Sequence, residues 1–207
     1  MKILVTGSYG QLGRSLFNYL KSNNEILWTG RNIPLGVNGF YLDICDRLNL
    51  IDLISLHNPD ILINLAALTN VDLCENNSEL AREININGVR NICDTFEGKI
   101  VQLSTDYVFD GKNGPYVEED EVFPLSVYGK TKLEAENIVL SHNSDNLIIR
   151  GNVLYDNCLS TKASFLNWVV QSLREKTPIN VVNDQINNPT WTQSMAKIIG
   201  LCVEKEI

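Results

Sequence analysis

The first thirteen residues constrain this chain more than any other stretch. A short apolar run, residues 2–6, leads directly into Gly7-Ser8-Tyr9-Gly10-Gln11-Leu12-Gly13, after which Leu12, Leu16, Phe17 and Leu20 recur at helical spacing. A strand that feeds a helix through a tight turn satisfies this pattern. Glycines permit the turn and the close packing of helix on strand, and the amides that open a helix lack intrahelical partners and so attract anions. In a strand–turn–helix unit such a turn cradles a pyrophosphate, which makes Gly7, Gly10 and Gly13, with the amides that open the helix, candidate dinucleotide ligands. Their spacing is G-x-x-G-x-x-G and not the G-x-G-x-x-G of the common dehydrogenases.

The alternation continues along the chain. Residues 25–29, 61–65, 99–104, 146–150 and 179–182 read as further strands. Between them, sets such as Leu50, Ile51, Ile54 and Leu56, or Leu80, Ile84, Val89 and Ile92, repeat at helical spacing. Fully apolar strands separated by helices predict an α/β fold with a doubly wound parallel sheet of the Rossmann type. Residues 1–150 are expected to form the dinucleotide-binding domain, and 151–207 an abbreviated substrate-binding region interleaved with the last strand. Three irregular stretches, 105–126, 151–161 and 183–189, each follow a strand end, where open α/β sheets take their ligands.

Charge narrows the ligand classes. With 17 Lys and Arg against 25 Asp and Glu, the formal charge of −8 argues against a general nucleic-acid or membrane-surface binder, because both need clustered cations. Anionic ligands must then be held by helix N-termini and a few placed cations. Cys45, Cys74, Cys93, Cys158 and Cys202 are odd in number, and with only His57 and His142 beside them they suggest neither a zinc cluster nor a disulfide framework. No metal is expected. No run approaches the roughly 18 apolar residues of a membrane span, so the expected location is the cytoplasm.

The second strand ends in Trp28-Thr29-Gly30-Arg31 without the acid that would bind a ribose 2′-hydroxyl. Arg31, with Arg14 as a second candidate, would instead pair with a 2′-phosphate, favouring NADPH over NADH. Farther on, Tyr128-Gly129-Lys130-Thr131-Lys132 puts Tyr128 and Lys132 at i and i+4 on a helix expected to begin near Leu125. Upstream, Ser104-Thr105-Asp106 brings hydroxyls to the same edge of the sheet. Hydride reduction of a ketone creates an alkoxide that needs a proton and stabilising donors. Tyr128 would supply the proton, Thr105 would hydrogen-bond the carbonyl, and the Lys132 ammonium would lower the phenol's pKa and bind the nicotinamide ribose.

With both motifs present, the sequence resembles the dTDP-4-dehydrorhamnose reductases of the extended short-chain dehydrogenase/reductase superfamily. The matching text spans nearly the whole chain: the first thirteen residues, Pro59-Asp60-Ile61-Leu62-Ile63-Asn64-Leu65-Ala66-Ala67, Thr69-Asn70-Val71-Asp72, Asn85-Ile86-Asn87-Gly88-Val89, the segment from Ser104 to Gly111, that from Tyr128 to Lys132, Asn183-Asp184-Gln185 and Pro189-Thr190. The resemblance implies Thr105, Tyr128 and Lys132 as the catalytic trio. It places Gly10, Gln11, Leu12, Asp43, Ile44, Ala66, Ala67, Leu68 and Leu103 around the cofactor, and Thr105 and Asp106 against a nucleotide sugar. Related 4,6-dehydratases carry Asp then Glu after this Thr; here Asp106 is followed by Tyr107, so simple carbonyl reduction is expected. Val153 stands where the family usually has a Trp that contacts the sugar, leaving the hexose open. Family members also continue past residue 207, so the expected sugar pocket is open, completed by a second copy in a homodimer, or cut short by truncation. A second reading is a non-catalytic NADP-binding subunit resembling the regulatory subunit of methionine adenosyltransferase. The intact trio favours the enzyme, since such a subunit has no need of an activated phenol.

Overall fold

The computed structural model describes residues 1–22, 24–156 and 165–205; Cys158 and the end of the irregular stretch expected at 151–161 lie outside them. In chain order the main sheet takes β1 (Lys2–Thr6), β2 (Glu25–Gly30), β3 (Phe40–Tyr41), β4 (Ile61–Asn64), β5 (Lys99–Thr105) and β6 (Leu147–Gly151). All pairings are parallel, in the order β3-β2-β1-β4-β5-β6. The chain therefore starts in the middle of the sheet, winds outward through β2 and β3, and returns across β1 to build the other half. This is the expected doubly wound Rossmann-type arrangement, and its reversal point lies between β1 and β4.

Helices cover both faces: α1 (Gln11–Leu20), α2 (Arg47–His57), α3 (Val71–Asn76), α4 (Ser78–Arg82), a π-helical turn (Glu83–Asn87), α5 (Gly88–Thr95), α6 (Val127–His142), α7 (Phe165–Glu175) and α8 (Thr192–Glu204). Alternate residues of a strand face opposite sides, so each strand serves two cores. Leu4, Leu27 and Leu62 pack with Leu50 and Leu53 of α2, Ile92 of α5 and Val139 of α6. On the other face Ile3, Val5, Ile63 and Val101 pack with Leu12 and Leu16 of α1 and Ile199 and Val203 of α8. Fully burying each such side chain contributes about 1.5–3 kcal/mol, which explains the continuous apolar strands.

Two expectations need correction. The helix carrying Tyr128 begins at Val127, because the Ser126 side chain accepts from the Gly129 amide at 3.0 Å and fixes the cap there. Residues 179–182 form no strand: Val181 and Val182 are half exposed, and the short pairing beyond β6 is made instead by β7 (Leu154–Tyr155) with β8 (Thr190–Trp191). The two-residue β3, which extends the sheet past β2, is too short to leave a periodic signal. Cys45, Cys74, Cys93 and Cys202 carry free thiols. Among the described residues no helix is long and apolar enough to cross a membrane, and no cluster of His, Cys, Asp or Glu could hold a metal ion.

Candidate active site

The C-terminal ends of β1, β4, β5 and β6 open into one cleft of about 570 Å³. Its floor is the turn from β1 into α1, where Gly7, Gly10, Gln11, Leu12 and Gly13 all reach the cleft. The turn requires glycine at two of these positions. Gly7 has φ +64°, and a Cβ there would stand 2.8 Å from the Ala66 amide nitrogen; a Cβ on Gly13 would stand 2.2 Å from the Ser8 carbonyl oxygen. Gly10 caps α1 without a side chain, so the opening turn of the helix presents backbone amides to the cleft and no capping group competes for them. That donor set fits a pyrophosphate.

At one end of the cleft stand Arg31, Asp43 and Ile44. Arg31 makes a loose ion pair with Asp43, Nη1 to Oδ2 at 3.8 Å, and remains about half exposed. A guanidinium held this loosely at the end of β2 stays available to a second anion. At the other end Ala66, Ala67, Leu103, Thr105, Tyr128 and Val153 form the walls. Val153 adopts φ +34°, a left-handed conformation that is strained for a β-branched residue.

The reacting corner joins β5 to α6. The Thr105 hydroxyl donates to Asp106 Oδ1 at 3.2 Å, accepts the Tyr107 amide at 3.2 Å, and interacts with the Tyr128 phenol. Burial pushes the Tyr128 pKa up to about 12, an effect the Thr105 hydrogen bond partly offsets while Cys74, Asp106 and Tyr107 add to it. Lys132 is buried, with Nζ donating to the Leu103 carbonyl at 2.7 Å. Desolvation brings its pKa down to about 8, opposed by the nearby Glu136 carboxylate. The expected depression of the phenol by the ammonium is thus not what this corner shows: Lys132 is bound to the Leu103 carbonyl, and burial dominates at Tyr128. Burial likewise raises the Asp106 carboxyl pKa.

Four residues expected at the site do not line the cleft: Lys132, Asp106, Leu68 and Arg14, the last of which borders a separate hollow with Tyr9, Phe17 and Trp28. Lys132 lies beneath it, and Asp106 is turned toward Thr105. Leu68 packs near Tyr128, and its backbone is held by Asn85: Oδ1 accepts the Leu68 amide at 2.8 Å, and Nδ2 donates to the Leu68 carbonyl at 3.1 Å. Asn85 Nδ2 also reaches Thr131 Oγ1 on α6 at 3.1 Å. This bracket could not be read from helical periodicity, because Asn85 is turned inward by the π-helical turn. A second unforeseen feature is a buried polar line across the sheet, in which Thr6 donates to Asn64, Asn64 to Gln102, and Gln102 to the Leu103 carbonyl that also receives Lys132. Polar residues at the ends of apolar strands, Thr6 and Asn64, and one in the middle of β5, Gln102, were the available signal.

Comparison with known proteins fits this geometry. The family model for the RmlD substrate binding domain matches residues 1–207. A dTDP-4-dehydrorhamnose reductase from Aggregatibacter actinomycetemcomitans is 33% identical over 210 residues, covering all of this chain and 68% of its own length. A dTDP-4-dehydrorhamnose reductase structure from Clostridium acetobutylicum superposes with a TM-score of 0.88 at 37% identity, covering 100% of this chain and 71% of that one. The Bacillus anthracis dTDP-4-dehydrorhamnose reductase, solved in complex with NADP, gives a TM-score of 0.87 at 28% identity over 100% of this chain and 71% of that one. The chain therefore spans about two thirds of the length of these relatives. With a glycine turn, a hydroxyl pair and a buried lysine on one sheet edge, and a family match along its full length, the chain belongs to the dTDP-4-dehydrorhamnose reductase family.

Proposed function

We propose that the chain is an NADPH-dependent reductase of a 4-keto-6-deoxy nucleotide sugar, of the type that turns dTDP-4-dehydro-L-rhamnose into dTDP-L-rhamnose. The observation that carries this reading is the shared cleft: the glycine turn and the Thr105–Tyr128 hydroxyls line the same cavity. NADPH, when bound, supplies hydride to the sugar carbonyl carbon. The α1 amides would hold its pyrophosphate, and Arg31 its 2′-phosphate. Tyr128, whose phenol keeps its proton throughout the neutral range, gives that proton to the developing alkoxide. Thr105 donates a hydrogen bond to the same oxygen, and Lys132, held beneath the cleft by the Leu103 carbonyl, would direct its positive charge to the nicotinamide ribose. The sugar would lie toward Val153 and the elements after residue 151, with residues 1–150 holding the cofactor.

The test is NADPH oxidation by the purified chain with dTDP-4-dehydrorhamnose, alongside Tyr128→Phe. Loss of about 10²–10⁴ in rate with cofactor binding intact is expected. No turnover by the unaltered chain, with NADPH still bound, would point instead to the non-catalytic subunit.

A further inference from the structure

A buried charge cluster beside the reacting corner has no part in that chemistry. Glu136 lies one helical turn beyond Lys132 on α6 and is buried. Its carboxylate accepts the Ser104 hydroxyl and is clasped by Arg150, Nε to Oε1 at 3.0 Å and Nη2 to Oε2 at 2.7 Å. Stability alone does not call for such a pair, since apolar side chains of similar volume usually serve at least as well. Arg150 sits opposite Ser104 in the sheet register. Its guanidinium also covers the Phe109 ring at 5.1 Å, and Nη1 donates to the Glu118 carbonyl at 3.3 Å. Phe109 stacks on Tyr116, whose hydroxyl donates to Asp110 at 2.7 Å. One guanidinium thus grips α6 and the long loop between β5 and α6, which opens with Thr105 and closes at the Ser126 cap of α6.

We propose that Glu136 and Arg150 are positioning residues for the reduction: the carboxylate keeps Lys132 charged against the Leu103 carbonyl, and the guanidinium holds that carboxylate and the 105–126 loop in register with Tyr128. The kinetic part of the proposal rests on the reductase reading; the electrostatic part does not. Glu136 on its own helix and the Leu103 carbonyl on β5 face Lys132, and Arg150, Cys74, Asp106, Tyr107 and Tyr128 are the other charged and titratable groups of this corner. Without the carboxylate, desolvation would act on the ammonium unopposed.

The experiment follows Lys132 by NMR in the full chain carrying ¹³Cε-labelled lysine, with the signal assigned from Lys132→Met. Glu136→Gln and the double variant Glu136→Gln/Arg150→Met are each expected to lower the Lys132 titration midpoint by about one pH unit, a tenfold change in proton affinity. The basic limb of the pH profile for NADPH oxidation should move down with it. Arg150→Lys, which keeps the charge but loses the fork, should lower kcat about tenfold or more with NADPH affinity unchanged. The double variant does not leave the Arg150 guanidinium without its carboxylate, so it should melt closer to wild type than Glu136→Gln does. A Lys132 midpoint unmoved in the folded double variant would overturn the electrostatic role, and wild-type kcat in Arg150→Lys would overturn the loop role. If the unaltered chain lacks turnover but the midpoint still falls in Glu136→Gln, the substrate reading fails and the positioning of Lys132 by Glu136 stands.

Discussion

Replacing Lys132 by Met should remove the proposed catalysis while leaving the fold as stable as before or more so at neutral pH. Lys132 is buried, and its pKa of about 8 compares with 10.5 for an exposed lysine. At about 1.36 kcal/mol per pH unit, that depression is worth about 3 kcal/mol. The sign follows from where the proton sits. Below pH 8 both folded and unfolded chains hold it, and the folded state bears the full desolvation of the ammonium. Between pH 8 and 10.5 the folded state loses the proton first, so the wild type gains stability across this window. The variant has no such term. Loss of the 2.7 Å hydrogen bond to the Leu103 carbonyl offsets part of the gain at pH 7, by about 1.5–3 kcal/mol for a charged donor. Urea denaturation of both proteins from pH 7 to 11 would give the stability difference, in which titrations common to both cancel. The wild type should gain about 3 kcal/mol on the variant as pH rises through this window. A difference that stays flat to within about 0.5 kcal/mol would show that Lys132 is solvated and would refute the argument.

Other perturbations have equally definite outcomes. Gly13→Ala places a methyl 2.2 Å from the Ser8 carbonyl oxygen and should cost about 3 kcal/mol in chemical denaturation, because the atoms it meets belong to packed backbone. Gly10→Ala meets nothing closer than 3.4 Å, so it should change stability by less than about 1 kcal/mol yet weaken NADPH binding in a fluorescence titration. Arg31→Ala should weaken NADPH about tenfold more than NADH, since a charge-assisted pair to the 2′-phosphate contributes about 1.5–3 kcal/mol; equal losses would remove Arg31 from cofactor discrimination. Val153→Gly should raise the thermal midpoint by about 1 kcal/mol's worth, because relief of the positive φ exceeds the backbone entropy that glycine adds; a lowered midpoint would show that the Val153 side chain, not its backbone, matters there.

Much of this architecture is legible in the sequence because it depends on local rules. Apolar strands buried on both faces leave continuous runs, and the first turn leaves Gly7 and Gly13 at positions where the structure has no room for a Cβ. What could not be read depends on long-range placement. Arg150 meets Glu136 only because β6 lies beside β5 under α6, and Asn85 meets Leu68 only because the helix is locally rewound. Even Tyr128, conspicuous from its spacing to Lys132, departs from expectation in acidity, since spacing gives proximity on a helix but says nothing of burial. The nearby strand forecast at 179–182 failed for a related reason. Apolar composition alone does not supply a partner edge, and the backbone pairing there falls to Thr190 and Trp191.

The π-helical turn at Glu83–Asn87 has a consequence for how this region tolerates change in length. Ala81, just before it, packs with Tyr128 and Cys74, whereas Val89, Ile92 and Cys93, just after it, pack into the core beneath the sheet. The wide turn acts as a phase shifter between two helical segments that address different neighbours. Its exposed side chains, Glu83 and Asn87, can vary, but deleting a single residue would rotate everything on one side by about 100°. Either Asn85 would lose the loop it brackets or α5 would turn its apolar stripe to water. The constraint at this point falls on the count of residues as much as on their identity.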